Sequence, residues 1–223
     1  MGFAVGLLLA IIASSLAAQA VGYKTGSTAA LPVAVTVADV AGLWVGLLAA
    51  AAVAARQHGT GRLGRDFGLR FASPLDVVAG GAIGVFCQYL LIPAVYWPFE
   101  QIFPGLAHSL SSPAHQETGA AHGPFEVTVL LLALAAGAPV VEELFFRGLV
   151  LRGLLGRLPV PAAIVVSALA FALAHFEAVQ FGGLALFGVI LGVLAWRTGR
   201  LGPGIAAHAG FNAVAVISLA HFR

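Results

Sequence analysis

Three short stretches of this sequence hold residues that apolar surroundings do not normally tolerate. They are Glu142-Glu143-Leu144-Phe145-Phe146-Arg147, Phe171-Ala172-Leu173-Ala174-His175 and His208-Ala209-Gly210-Phe211-Asn212. An ionisable side chain in a membrane span costs at least about 2.5 kcal/mol on insertion scales, so such groups pair with one another or do chemistry. Glu143 and Arg147 are four apart, acid first, which is the favourable order for an ion pair on a helix. Glu142 lies about 100° round the helix from Glu143 and needs a partner elsewhere. His208 and Asn212 are also four apart and share a face, and Asn212 is the only asparagine in the chain.

A carboxylate that takes a proton from water, with imidazole and carboxamide donors for a developing oxyanion, is equipment for hydrolysing an amide or ester. In one scheme Glu142, aided by His175, activates the water while His208 and Asn212 stabilise the tetrahedral intermediate. In another, Glu142, His175 and His208 ligate zinc or another divalent metal that acidifies the water. Spacing leaves both open. No His-Glu-x-x-His or Gly-x-Ser-x-Gly pattern occurs, and Asp39 and Asp76, near the ends of their segments, do not suggest an aspartyl dyad.

The elements that must hold these groups are apolar. Hydrophobic residues make up 60% of the 223 residues and charged residues 9%, where a soluble domain has about 25%. Mean hydropathy is +0.99. Apolar segments at about 3–20, 32–55, 74–97, 125–151, 160–176, 181–196 and 201–220 predict about seven transmembrane helices. These runs are continuous and lack the alternation of a membrane barrel, so the expected class is all-α, a polytopic integral membrane protein. The division expected is residues 1–124, with three spans and a long extracytoplasmic loop, then a four-helix core over 125–223, together one domain. Residues 16–20 faintly resemble a signal cleavage site, but no basic stretch precedes the apolar run, which is therefore read as a retained span.

Lys and Arg accumulate in cytoplasmic loops. Arg56, Arg62, Arg65, Arg70, Arg152, Arg157, Arg197 and Arg200 fall in alternate connections, which puts those connections and the N-terminus in the cytoplasm. Counted from those ends, His208 lies roughly 10 Å deep, Glu142 roughly 16 Å and His175 roughly 22 Å, and ordinary tilts allow all three to meet. Residues 98–124, with His108, His115 and His122 seven apart, read as an irregular loop, because Ser, Pro and Gly interrupt them. Gly80 with Gly84, and Gly188 with Gly192, form faces for close helix approach. The formal charge of +2 is scattered, which excludes a nucleic-acid surface, and Cys87, the single cysteine, excludes an intrachain disulfide.

The ordered set Glu-Glu-x-x-x-Arg, Phe-x-x-x-His and His-x-x-x-Asn resembles the motifs of the CAAX prenyl endopeptidase and bacteriocin-processing (CPBP, or Abi) family of intramembrane proteases. Residues 187–202 are similar to that family's weaker motif, and the likeness covers about 125–220. It implies catalytic positions at Glu142, His175, His208 and Asn212, with Glu143, Arg147 and Phe171 supporting. It also implies a membrane-associated peptide or protein substrate, prenylated for the eukaryotic members. The chain is shorter than the family's eight-span members. Ala-, Gly- and Arg-rich composition with a single Lys suggests a high-GC bacterial genome, and so a plasma-membrane protease whose substrate need not be prenylated. A non-catalytic bacteriocin-immunity or scaffold protein is the alternative. A proton-coupled carrier fits less well, because the polar groups occupy only one half of the chain.

Overall fold

The computed structural model describes residues 2–24, 30–121 and 123–221, and the described residues form nine continuous helices and no strand. They are α1 Gly2–Ala20, α2 Val33–His58, α3 Leu63–Asp66, α4 Pro74–Glu100, α5 Leu106–Thr118, α6 Pro124–Leu155, α7 Val160–Leu173, α8 Phe181–Thr198 and α9 Gly202–His221. The chain is an all-α integral membrane protein. Helices α1, α2, α4, α6 and α8 are long and apolar enough to cross a bilayer. Helix α7, at 14 residues, is not: it rises about 21 Å, against a hydrocarbon core of about 30 Å.

Two helices lie outside the seven expected segments. Helix α3 caps the short arginine-bearing loop. Helix α5 corrects the expectation of an irregular loop over 98–124: Gly105, at φ 90°, turns the chain into it, and Pro113 sits within it. A chain reversal at a left-handed glycine makes room for a helix that composition alone had argued against. His108 and His115 are on α5 and exposed, while His122 lies outside the described residues.

Helix contacts are made through small residues, since lipid offers apolar side chains no reason to leave it and packing has to come from close approach. A Cβ on Gly84 of α4 would collide with the Ala207 carbonyl of α9, and one on Gly188 of α8 would press on Ala168 of α7. Both expected glycine faces are thus used. The lipid-facing surface keeps large apolar residues, among them Leu8, Ile11 and Leu16 on α1 and Leu75 and Val78 on α4.

The connections gather at two opposite ends of the bundle. At one end, Arg152 donates to Asp66 O at 2.9 Å and Gly199 O at 3.1 Å, Arg200 pairs with Asp76 at 2.7 Å, and Leu201 N donates to Gly68 O at 2.9 Å. At the other, Leu31 N donates to Gln116 O at 2.8 Å, Gln180 Nε2 to Leu110 O at 2.7 Å, and Tyr96 Oη to Val179 O at 3.0 Å.

Candidate active site

Helix α6 carries Glu142 and Glu143 on one α-helical turn between two π-helical stretches, Leu131–Gly137 and Leu144–Leu151. The widened turns re-aim side chains, a device often found at functional sites. Gly137 ends the first stretch directly against the Trp44 ring of α2, where a Cβ would not fit.

Glu143 and Arg147 form the ion pair expected from their spacing, 2.7 Å apart and with both side chains fully buried. Arg147 also donates to Gly188 O at 3.1 Å and lies over the Phe171 ring at 4.4 Å. Spacing did not reveal the third partner: His208 Nδ1 stands 3.2 Å from the same Glu143 Oε1. Gly204 on α9 leaves room for the carboxylate, since a Cβ there would come 3.2 Å from Glu143 Oε2.

Glu142 faces the other side of these imidazoles. Its Oε2 is 3.8 Å from His208 Nε2 and 4.0 Å from His175 Nε2, so the structure brings together three of the four residues to which chemistry was assigned. His175 sits in the turn just past the end of α7, not on the helix, ahead of Phe176 in the left-handed region at φ 56°. Its Nδ1 is 2.8 Å from Phe171 O. A carbonyl can only accept, so that nitrogen carries the proton. The same holds for His208 Nδ1 against a carboxylate already paired with Arg147. In each neutral ring the lone pair is then on Nε2, facing Glu142. The buried Glu142 Oε2 accepts no hydrogen bond among the described residues. Three acceptors converge on a point that calls for a proton donor or a cation.

Water suits the spacing, because polar atoms 3.8–4.0 Å apart are within reach of one bridging molecule. The donor types also suit a divalent metal, with both Nδ1 atoms held as second partners hold ligating histidines. Metal bonds of about 2.0–2.1 Å at a tetrahedral centre, however, set ligand atoms only about 3.3 Å apart. Among the described residues no group of three His, Cys, Asp or Glu is arranged to hold a metal ion.

Asn212 stands apart from the trio. Its Nδ2 donates to Leu134 O at 2.8 Å, in the first π-helical stretch, which leaves its second N–H available. Phe171 is fully buried, with its ring edge-on to both His175 and His208 at 4.6 and 5.6 Å between centroids.

The trio lines a chamber of about 620 Å³ that Asn212 also lines. Further along the chamber are Asp39, Glu100, Glu117 and Glu177, and none of the lining residues is Lys or Arg. Glu117, at the end of α5, presents surface to the chamber while protein encloses it. That enclosure and the negative charges of Asp39, Glu177 and Glu142 push its pKa up to about 7. Asp39 signalled its place by being an ionisable residue in an apolar segment. Glu117 had no such signal, because it was assigned to a loop.

Residues 124–214, which contain all of the motif residues, match the family model described as Rce1-like, type II CAAX prenyl endopeptidase. Over that segment the chain is similar to this family. Neither the curated proteins nor the solved structures gave a match. CAAX endopeptidases as a family are membrane proteases acting on membrane-associated prenylated proteins, and the matched segment contributes every group of the trio.

Proposed function

We propose that the chain is an intramembrane endopeptidase that hydrolyses a peptide bond by water activated between Glu142 and the two histidines. The convergence of Glu142 Oε2 with His175 Nε2 and His208 Nε2 carries this reading. A water bridging these atoms attacks the substrate carbonyl carbon and gives a proton to Glu142. His175 accepts a hydrogen bond from the water and orients it. The tetrahedral oxyanion takes hydrogen bonds from the free N–H of Asn212 and from His208 Nε2–H. For this, His208 enters the cycle as an imidazolium that has taken one proton from solvent and keeps it throughout, its Nδ1–H held by the Glu143 carboxylate. Collapse breaks the C–N bond as Glu142 passes its proton to the leaving amine.

Glu143, Arg147 and Phe171 act by positioning. A divalent metal, if bound, would be held by Glu142, His175 and His208 and would lower the pKa of the attacking water. The substrate class is a membrane-associated peptide, with prenylated peptides the narrower option, and the setting is a bacterial plasma membrane. The test is to incubate purified protein with a peptide panel, prenylated and unmodified, in ¹⁸O-water. Peptide hydrolysis places ¹⁸O in the new C-terminal carboxyl of the product. Complete absence of cleavage across the panel, with an immunity phenotype preserved in Glu142→Gln, would support the scaffold reading instead.

A further inference from the structure

The chamber is lined from one end of the bundle and not from the other, and the charge of the connecting loops tells which end faces the cytoplasm. None of its lining residues falls within 48–87, 147–170 or 188–207. Those ranges hold every arginine of the chain except Arg223, including all eight of the loop arginines. The arginine loops are bound to one another at a single end of the bundle, through Arg152 with Asp66 and Gly199 and through Arg200 with Asp76. The chamber's outer lining comes instead from the opposite end, from Glu100, Ser111 and Glu117 around α5 and from Glu177 and Gln180 after α7. Among the described loop residues Lys24 is the one basic residue at that end.

Because Lys and Arg near span ends are retained on the cytoplasmic side, we infer that the chamber receives its substrate from the extracytoplasmic face. The substrate class is then an exported or outer-leaflet peptide, and not the C-terminus of a cytosolic prenylated protein. This rests on the endopeptidase reading for the word substrate, whereas the sidedness stands on charge and chamber geometry alone.

Cysteine labelling separates the two. Cys87 is buried, so the natural chain gives little background. Ser109→Cys on α5, Ser111→Cys in the chamber lining and Gln57→Cys at the arginine end would be expressed in bacteria and exposed to a membrane-impermeant maleimide. Expected are labelling of both serine positions in intact spheroplasts and labelling of Gln57→Cys only in inverted vesicles, with at least a tenfold difference between the two preparations. The reverse pattern, or equal labelling of all three from both faces, would overturn the inference. Gln101→Cys and Arg65→Cys, at the same two ends, repeat the reading where a first variant does not accumulate. Because labelling needs no turnover, an inactive protein still reports sidedness, and a failed peptide assay leaves this result intact.

Discussion

His208 Nδ1 and Arg147 Nη1 share one acceptor, Glu143 Oε1, at 3.2 and 2.7 Å. One buried carboxylate therefore fixes the imidazole tautomer and neutralises the guanidinium. Glu143→Gln should lower kcat by about 10–100-fold, the usual penalty for removing an outer partner of a functional histidine, with KM little changed. A shifted pH–rate profile would accompany it. Equal activity with an unshifted profile would assign Glu143 to packing alone.

Arg147→Ala acts differently. It leaves a buried Glu143 carboxylate without its cation, and breaking such a pair costs about 3–5 kcal/mol. The expected result is a large loss of thermal stability in detergent. Arg147→Lys should recover only part of it, since a lysine cannot donate in the same fork to Glu143 and Gly188.

Asn212→Ala removes the proposed oxyanion donor and the bond to Leu134 O. A fall in kcat of about 10²–10³, with near-normal folding by size exclusion, is expected for a donor of this kind. Loss of folding without a specific kcat effect would restrict Asn212 to tying α9 to α6.

Glu117 gives a pH signature. Its folded pKa of about 7 lies above the ordinary 4.5, so the folded state binds the proton more tightly than the unfolded chain. Its contribution is most favourable below pH 4.5 and is lost as pH rises through 7. The Tm difference between Glu117→Gln and the natural chain should therefore shift in favour of the variant over that range. The groups facing it are Asp39, Glu177 and Glu142. Parallel Tm curves would refute the assignment.

Gly84→Leu should disrupt the α4–α9 contact, because a side chain there meets the Ala207 carbonyl. Overpacking of this kind costs about 1–3 kcal/mol or more. A matched Gly81→Leu is the control, since nothing lies within 4 Å of a Cβ at Gly81.

What the sequence disclosed follows from the physics of its setting. Charges in apolar runs are conspicuous, so Glu142, His175 and His208 could be picked out, and helical spacing correctly paired Glu143 with Arg147. Spacing along one helix is silent about partners on another, which is why the contact between Glu143 and His208 was not visible. It was equally silent about the π-helical turns around Glu142, which the local residue types do not encode. Helix α5 was missed because Ser, Pro and Gly outweighed a weak helical signal, and with it went Glu117 and the outer part of the chamber.

The central claim is that Glu142 activates the attacking water. It is tested most directly by comparing cleavage of a peptide substrate by the natural protein and by Glu142→Gln, both shown by thermal melting to be folded alike, with metal content measured in each. The account predicts turnover by the natural protein and at least a 10³-fold loss in the variant, at the upper part of the usual range for a general base. Equal cleavage by the two proteins would contradict it.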